Sequence, residues 1–515
     1  MKGKKLFINI LACLVSFATT LGINFFLTPY ITENVGTEAY GFVSLAINFV
    51  NYASIVTLAI NSMASRFVSV SVFKKKYEDA NRYFTSVLIA NILIILILLI
   101  PSIFCVIYLE KLIVIPENLI SSVKVLFSLI FINFYISLIN TSYSVSTYAG
   151  DKIELFTLRN MESGVLKVVS MFALFYIFGA DIIFVGIATI LSTLYLLFFN
   201  IKYTKKFLPF IHIKKKYFDI KKVIEICLSG VWNTVTKIGQ VLADGLDLLI
   251  SNLFISPTAM GQLSIAKTIS SSVSLLTVLL SNVFQPAITK CYAQNSESMI
   301  DEIKFSMKIV ALFSNIMLIG IMCFAYQFYK LWLPSENIGL LTFLTLITLI
   351  GSVVSTSVNI LFNVFTITNK IKLNSLVTLG VGCLKVLVLF IILKLNLTDT
   401  PIYFVAGVSV ITGLIKNLTF IPIYAAKCLN VEKTSFYMPI IKSILSSITM
   451  AFIFVIISKL IVINTWIKLL IIAVICAIIG FAVSVLILFD KNEREKVKNV
   501  LNTLLKEKRW MSNEG

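Results

Sequence analysis

Ala39–Ala46 reads AYGFVSLA, and Ala259–Ala266 reads AMGQLSIA, a near copy 220 positions later. Three more correspondences follow in the same order. GVLKVV at Gly164–Val169 matches GCLKVL at Gly382–Leu387 at an offset of 218. FVGIA at 184–188 resembles VAGVS at 405–409 at 221, and Asn140 falls opposite Asn359 at 219. One match alone is weak. Four matches in order, at nearly constant spacing, mark an internal duplication.

The duplicated unit is counted in spans. A hydrocarbon core about 30 Å thick needs roughly 20 apolar residues per helix. About fourteen such segments occur, centred near residues 17, 50, 96, 134, 169, 191, 238, 272, 317, 354, 384, 412, 451 and 478. The fold class is therefore an all-α polytopic membrane protein. It has two pseudo-symmetric six-helix lobes, 1–200 and 223–430, and helices 13 and 14 in 431–490. Six is even, so the lobes keep one orientation and are related by an axis along the membrane normal. The basic segment 201–222, IKYTKKFLPFIHIKKKYFDIKK, reads as the connecting loop and hinge. The tail 491–515 carries Val497, Leu501, Leu504 and Leu505 near one helical face, which suits an amphipathic helix on the membrane surface or a solvated one.

Composition agrees. The chain of 515 residues is 58% hydrophobic and only 13% charged, with a mean hydropathy of +0.95. A soluble protein has no way to solvate such a surface. One histidine, His212, and eight cysteines without a CxxC pair support neither a metal site nor a disulfide framework. The start, MKGKKLFINILACLVSFATTLGINFFL, has a basic end and a long apolar run without a small-residue cleavage site. It reads as an uncleaved first helix.

The net charge is +19. With the N-terminus placed in the cytoplasm, 31 of the 44 Lys and Arg residues fall in inner segments and six in outer turns. This positive-inside asymmetry puts both termini in the cytoplasm and accounts for the charge without nucleic acid. The inner loops are expected to attract anionic membrane lipids.

Seven lysines remain within spans: Lys167, Lys237, Lys267, Lys308, Lys385, Lys416 and Lys442. Lys308 and Lys442 lie close enough to an inner loop to snorkel. The others are deeper, and a lysine at mid-bilayer costs about 2.5–3.5 kcal/mol, so it normally faces a polar interior. Asp247 and Lys267 lie at matched depth about the turn at Pro257, which suits an ion pair. Asp244, one turn lower, is left for Lys237. Glu162 does not share the face of Lys167, and no acidic residue accompanies Lys385 in its own span. Two readings stand for Lys167 and Lys385. They are structural lysines bonded to carbonyls or hydroxyls, or they line one central water-filled cavity. Lys416 is a candidate to join them. Arg66 reads as a guard of the inner mouth or as a positive-inside anchor.

A cavity lined by lysines favours an anion such as a diphosphate. Asn48, Asn51, Asn61, Asn140, Asn233, Asn359 and Asn363 fall in spans, as sugar ligands or as interhelical bonds. No Walker A loop, GxGxxG, HExxH or nucleophile elbow is present, so neither an enzyme nor an ATP-driven pump is expected, and no cofactor or metal.

The opening NFFLTPYITENVGTEAYGFVSLA, with Pro29, Gly36, Tyr40 and Gly41, resembles the polysaccharide transport family. These are the O-antigen-type repeat-unit flippases of the multidrug/oligosaccharidyl-lipid/polysaccharide (MATE/MOP) superfamily. Val35 stands where that family commonly has Leu. The resemblance implies a flippase of the bacterial cytoplasmic membrane that moves undecaprenyl-diphosphate-linked oligosaccharide to the outer leaflet. It implies alternating access and diphosphate binding by Lys167, Lys237, Lys267 and Lys385. Partners implied are the lipid-linked oligosaccharide and the polymerase and glycosyltransferases of the same synthesis. Alanine at Lys167 or Lys385 is expected to abolish transport with membrane abundance kept. Two alternatives share the fold. One is a flippase of peptidoglycan precursor or its sporulation relatives. The other is a cation-coupled multidrug exporter, which would draw on Asp244 and Asp247.

Overall fold

A computed structural model describes residues 17–18, 21–22, 25–150, 152–294, 298–395 and 400–495. The expected tail helix beyond residue 495, and most of the first span, lie outside them. Among the described residues there is no strand. In lipid every backbone polar group must be bonded within its own segment, and apolar spans of this length achieve that as helices.

The helices are α1 (25–34), α2 (Thr37–Phe73), α3 (Tyr77–Ile107), α4 (Ile120–Ala149), α5 (Ile153–Phe178) and α6 (Ile182–Phe207). Next, α7 consists of Ile220–Gln240, a π-helical turn at Val241–Gly245, and Asp247–Phe254. Then come α8 (Pro257–Ala293), α9 (Met299–Trp332), and α10, made of Ile338–Ile350, Ser352–Val358 and Leu361–Ile367. The rest are α11 (Ile371–Lys394), α12 (Pro401–Ile415, a π turn at Lys416–Phe420, and Ile421–Cys428), α13 (Tyr437–Leu460) and α14 (Trp466–Leu488). Twelve helices among the described residues are long and apolar enough to cross a membrane. Of the expected fourteen, only α1 and α7 are not in that set. The described part of α1 is short, and α7 carries Asn233, Thr234, Thr236, Lys237 and Gln240 in its middle.

The described residues pack as two compact units. One holds those of 19–265 and 371–405; the other holds those of 266–370 and 406–495 with Phe17 and Ala18. The six-helix lobes expected from the repeat stay a proposal about ancestry and symmetry, because packing divides the chain at other points.

In the unit of 19–265 and 371–405, α4 packs on α2 and α6, α5 packs on α6, and α7 lies between α2 and α11. The opening repeat pair meets here. Ser264 donates to Ser44 Oγ at 2.5 Å, and Thr258 donates to Glu38 Oε1 at 2.6 Å. A Cβ on Gly41 would lie 2.9 Å from the Cα of Gly261. All three contacts join a residue to the one 220 positions later. Copies of a duplicated unit touch through their own equivalents only beside the axis that relates them. Gly36 starts α2 at φ 107, a region that disfavours a side chain, and Thr28 donates to the Tyr40 hydroxyl at 3.1 Å. The quoted family pattern is therefore a turn, a hydrogen bond and a helix crossing. The segment 201–222 is docked on α3. The His212 N–H donates to Asn81 Oδ1 at 3.1 Å, and the Asp219 N–H donates to Ser86 Oγ at 2.9 Å.

In the other unit, α9 packs against α10, α13 and α14. Asn315 donates to Ser443 Oγ at 2.9 Å and accepts from Thr356 at 2.7 Å. Lys308 and Lys442 do more than snorkel. Lys308 donates to Glu493 at 2.7 Å, and Lys442 donates to Asp490 at 2.7 Å, so the residues after α14 clasp α9 and α13. Arg494 donates to the Phe489 carbonyl at 2.8 Å and to Leu486 at 2.5 Å, capping the end of α14.

Candidate functional site

The site begins at the π turn of α7. An extra residue in a helix misaligns its carbonyls and leaves them needing other donors. The Tyr52 hydroxyl of α2 donates to the Gly245 carbonyl at 2.6 Å. The Lys385 ammonium of α11 donates to the Ala243 carbonyl and to Asp247 Oδ1. Lys385 and Asp247 are both fully buried, at 0% exposure.

The approach is made by glycine. A Cβ on Gly239 would lie 2.6 Å from the Leu379 nitrogen, and one on Gly382 would lie 2.6 Å from the Gly239 carbonyl oxygen. The α7 and α11 backbones therefore touch. One turn earlier, the Thr236 and Ser375 hydroxyls are 2.8 Å apart, and Ser375 donates to the Trp232 carbonyl at 3.0 Å. GCLKVL reads in these terms. Gly382 admits the partner helix, and Lys385, three residues on and on the same face, reaches the π turn.

Its sequence twin is in another situation. Lys167, in GVLKVV on α5, is half-buried and makes no hydrogen bond or ion pair with a described residue. The nearest acid in sequence, Glu162, is engaged by Arg159 and accepts from the Tyr195 hydroxyl at 2.6 Å. Arg159 also donates to Tyr203 at 2.9 Å, and its guanidinium lies 4.2 Å from the Phe199 ring centroid. The two lysines, equivalent in the repeat, are thus one neutralised and one not.

Lys237 on α7 is half-buried and likewise has no hydrogen bond or ion pair with a described residue. Asp244 is exposed on the π turn, and Arg66 is exposed toward the end of α2. Lys267 on α8 and Lys416 on the π turn of α12 fall in the other unit. Both are half-buried, and the Lys416 ammonium lies 5.7 Å from the Phe362 ring centroid. Of the sequence candidates, the structure brings Lys385 onto Asp247. The acid that meets Lys385 comes from α7, not from its own helix.

Four of the asparagines are tied between helices. Asn61 accepts from Asn91 at 2.9 Å, Asn140 accepts from Asn200 at 2.8 Å, Asn233 donates to Ser62 at 3.2 Å, and Asn363 donates to the Ser281 carbonyl at 3.3 Å. Sequence reasoning missed Tyr52 and the Arg159 cluster. Arg159 and Glu162 at i, i+3 in an apolar helix were the available signal for the cluster. Nothing local marks Tyr52.

Residues 3–290 match the polysaccharide biosynthesis protein family. The chain belongs to that family. It is 25% identical over 443 residues to the uncharacterized membrane protein EpsK of Bacillus subtilis (strain 168), covering 85% of this chain and 86% of that one. Its fold is that of the lipid II flippase MurJ in an inward closed conformation, with a TM-score of 0.63 at 15% identity over 93% of this chain and 98% of that one. It is also that of an inward-facing MATE multidrug transporter of the MOP superfamily, with a TM-score of 0.57 at 13% identity over 82% and 99%. This family member is accordingly a multi-pass membrane protein with a flippase and transporter fold.

Proposed function

We propose that this protein translocates undecaprenyl-diphosphate-linked oligosaccharide units to the outer leaflet of the bacterial cytoplasmic membrane, for surface polysaccharide synthesis, by alternating access. The carrying observation is Lys167, a mid-span lysine with no hydrogen-bond or ion-pair partner among the described residues. A lysine at that depth costs about 2.5–3.5 kcal/mol. A substrate diphosphate offsets that cost during transport. Lys237, also unpaired among the described residues, extends the cationic lining on α7. Lys267, Lys416 and Arg66 belong to the wider proposed set. Lys385 serves by holding α7 to α11.

The multidrug reading needs a carboxylate for a cationic drug; of its two candidates, Asp247 is fully buried against Lys385, and Asp244 is a single acid beside several lysines within spans. That favours an anionic substrate. The 31-to-6 distribution of basic residues supports cytoplasmic termini. The family supports lipid-linked glycan as cargo, with the polymerase and glycosyltransferases of the same synthesis as neighbours.

The test is export of glycan in a strain lacking its own flippase. A charge-assisted hydrogen bond is worth about 1.5–3 kcal/mol, so Lys167→Ala should lower transport roughly ten- to hundredfold. Membrane abundance should hold, and Lys167→Arg should restore part of the activity. Normal export by Lys167→Ala and by the double variant with Lys237→Ala would remove the proposal.

A further inference from the structure

We propose that a groove at the end of α6 binds the phosphate headgroup of an anionic membrane lipid. The groove has a volume of about 520 Å3 and lies where α6 passes into the 201–222 segment. Lys205, His212 and Lys214 line it together with the apolar side chains of Ile201, Pro209 and Ile213. No carboxylate is among its lining residues.

Three of the segment's six other lysines are engaged elsewhere. The ammonium of Lys206 lies 5.7 Å from the Phe207 ring centroid, and that of Lys216 lies 4.8 Å from the Tyr217 centroid. Lys222 donates to the Tyr83 hydroxyl at 3.1 Å, with Glu225 at 3.7 Å. Lys205 and Lys214 form no ion pair with a described residue, so the groove carries two lysine charges that no described carboxylate offsets.

The walls are held in place. Thr204 donates to the Tyr143 carbonyl at 3.2 Å, and the His212 backbone is bonded to Asn81. Because α6 is a membrane span, its end lies at the boundary of hydrocarbon and headgroups. Two cations beside exposed apolar walls suit an anion that carries its own hydrocarbon. A free phosphate would satisfy the lysines and leave Ile213 and Pro209 in water. This site is separate from the transport lysines and does not rest on the flippase reading.

The experiment is native mass spectrometry of the full-length protein in detergent, titrated with phosphatidylglycerol or phosphatidylcholine. Wild type should retain phosphatidylglycerol preferentially. Each cation near an anionic headgroup contributes roughly fivefold, so Lys205→Gln with Lys214→Gln should lower retention by roughly tenfold or more. The two single variants should fall between, and they carry the comparison if the double variant loses its thermal transition. Lys206→Gln with Lys216→Gln removes the same formal charge outside the groove and should retain lipid as wild type does. Equal loss in both double variants would mean diffuse surface charge and overturn the site. Displacement of the lipid by equimolar inorganic phosphate would make it a free-phosphate site and overturn the lipid assignment.

Discussion

Lys385 and Lys167 occupy equivalent positions in a duplicated helix and demand opposite experiments. Removing one partner of a buried ion pair leaves the other charge uncompensated, at a cost of roughly 3–5 kcal/mol. Lys385→Ala should therefore lower the thermal transition of the purified protein and its membrane abundance, which revises the expectation that abundance survives. Lys385→Met combined with Asp247→Leu removes both charges at similar volume and should recover most of the stability. If Lys385→Ala is as stable as wild type, the pair is not holding α7. Lys167→Ala removes no partner found among the described residues and should leave the transition where it is. From sequence the two lysines could not be told apart. The difference lies in Asp247 and in the π turn, both on another helix.

Among the elements, α7 departs most from an ordinary span. Its polar middle and π turn set it outside the apolar helices, and it is placed by two backbones in contact at Gly239 and Gly382. A methyl group at Gly239 would meet the Thr378 and Leu379 backbone, which has no rotamer to yield. Gly239→Ala should push α11 away and cost about 1–3 kcal/mol, read as a fall in Tm. Gly380→Ala on the same α11, where nothing lies within 4 Å, should change little. Equal effects at the two positions would refute the close crossing. The clasp after α14 has a pH signature. The Lys442 ammonium donating to Asp490 holds that carboxylate below its usual range, with Lys308 adding to the effect. A depressed carboxylate stabilises the fold fully above its ordinary pKa of about 3.9, and the contribution disappears as pH falls through the lower folded value. Asp490→Asn should thus lower Tm at pH 7, and the gap to wild type should close toward pH 3. A gap that persists in acid would detach the effect from ionisation.

For the whole molecule, charge distribution and duplication carry most of the account. Most of the Lys and Arg residues lie in segments between spans, the distribution on which the proposed cytoplasmic placement of the termini rests. Two of the seven lysines within spans, Lys308 and Lys442, are answered by acids at positions 490 and 493. No window along the sequence joins those positions. The repeat is visible in sequence at an offset of 220 and in space at Gly41 and Gly261, where the two copies touch.

The sequence by itself determined the membrane class, the number of spans to within α1 and the polar α7, and the family. These follow from composition, from the period of apolar segments and from motifs along the chain. Local order is enough to read all of them. The tertiary structure alone decided which buried lysine is neutralised. An ion pair depends on the position of a carboxylate 138 residues away, and that position is set by where two helices cross.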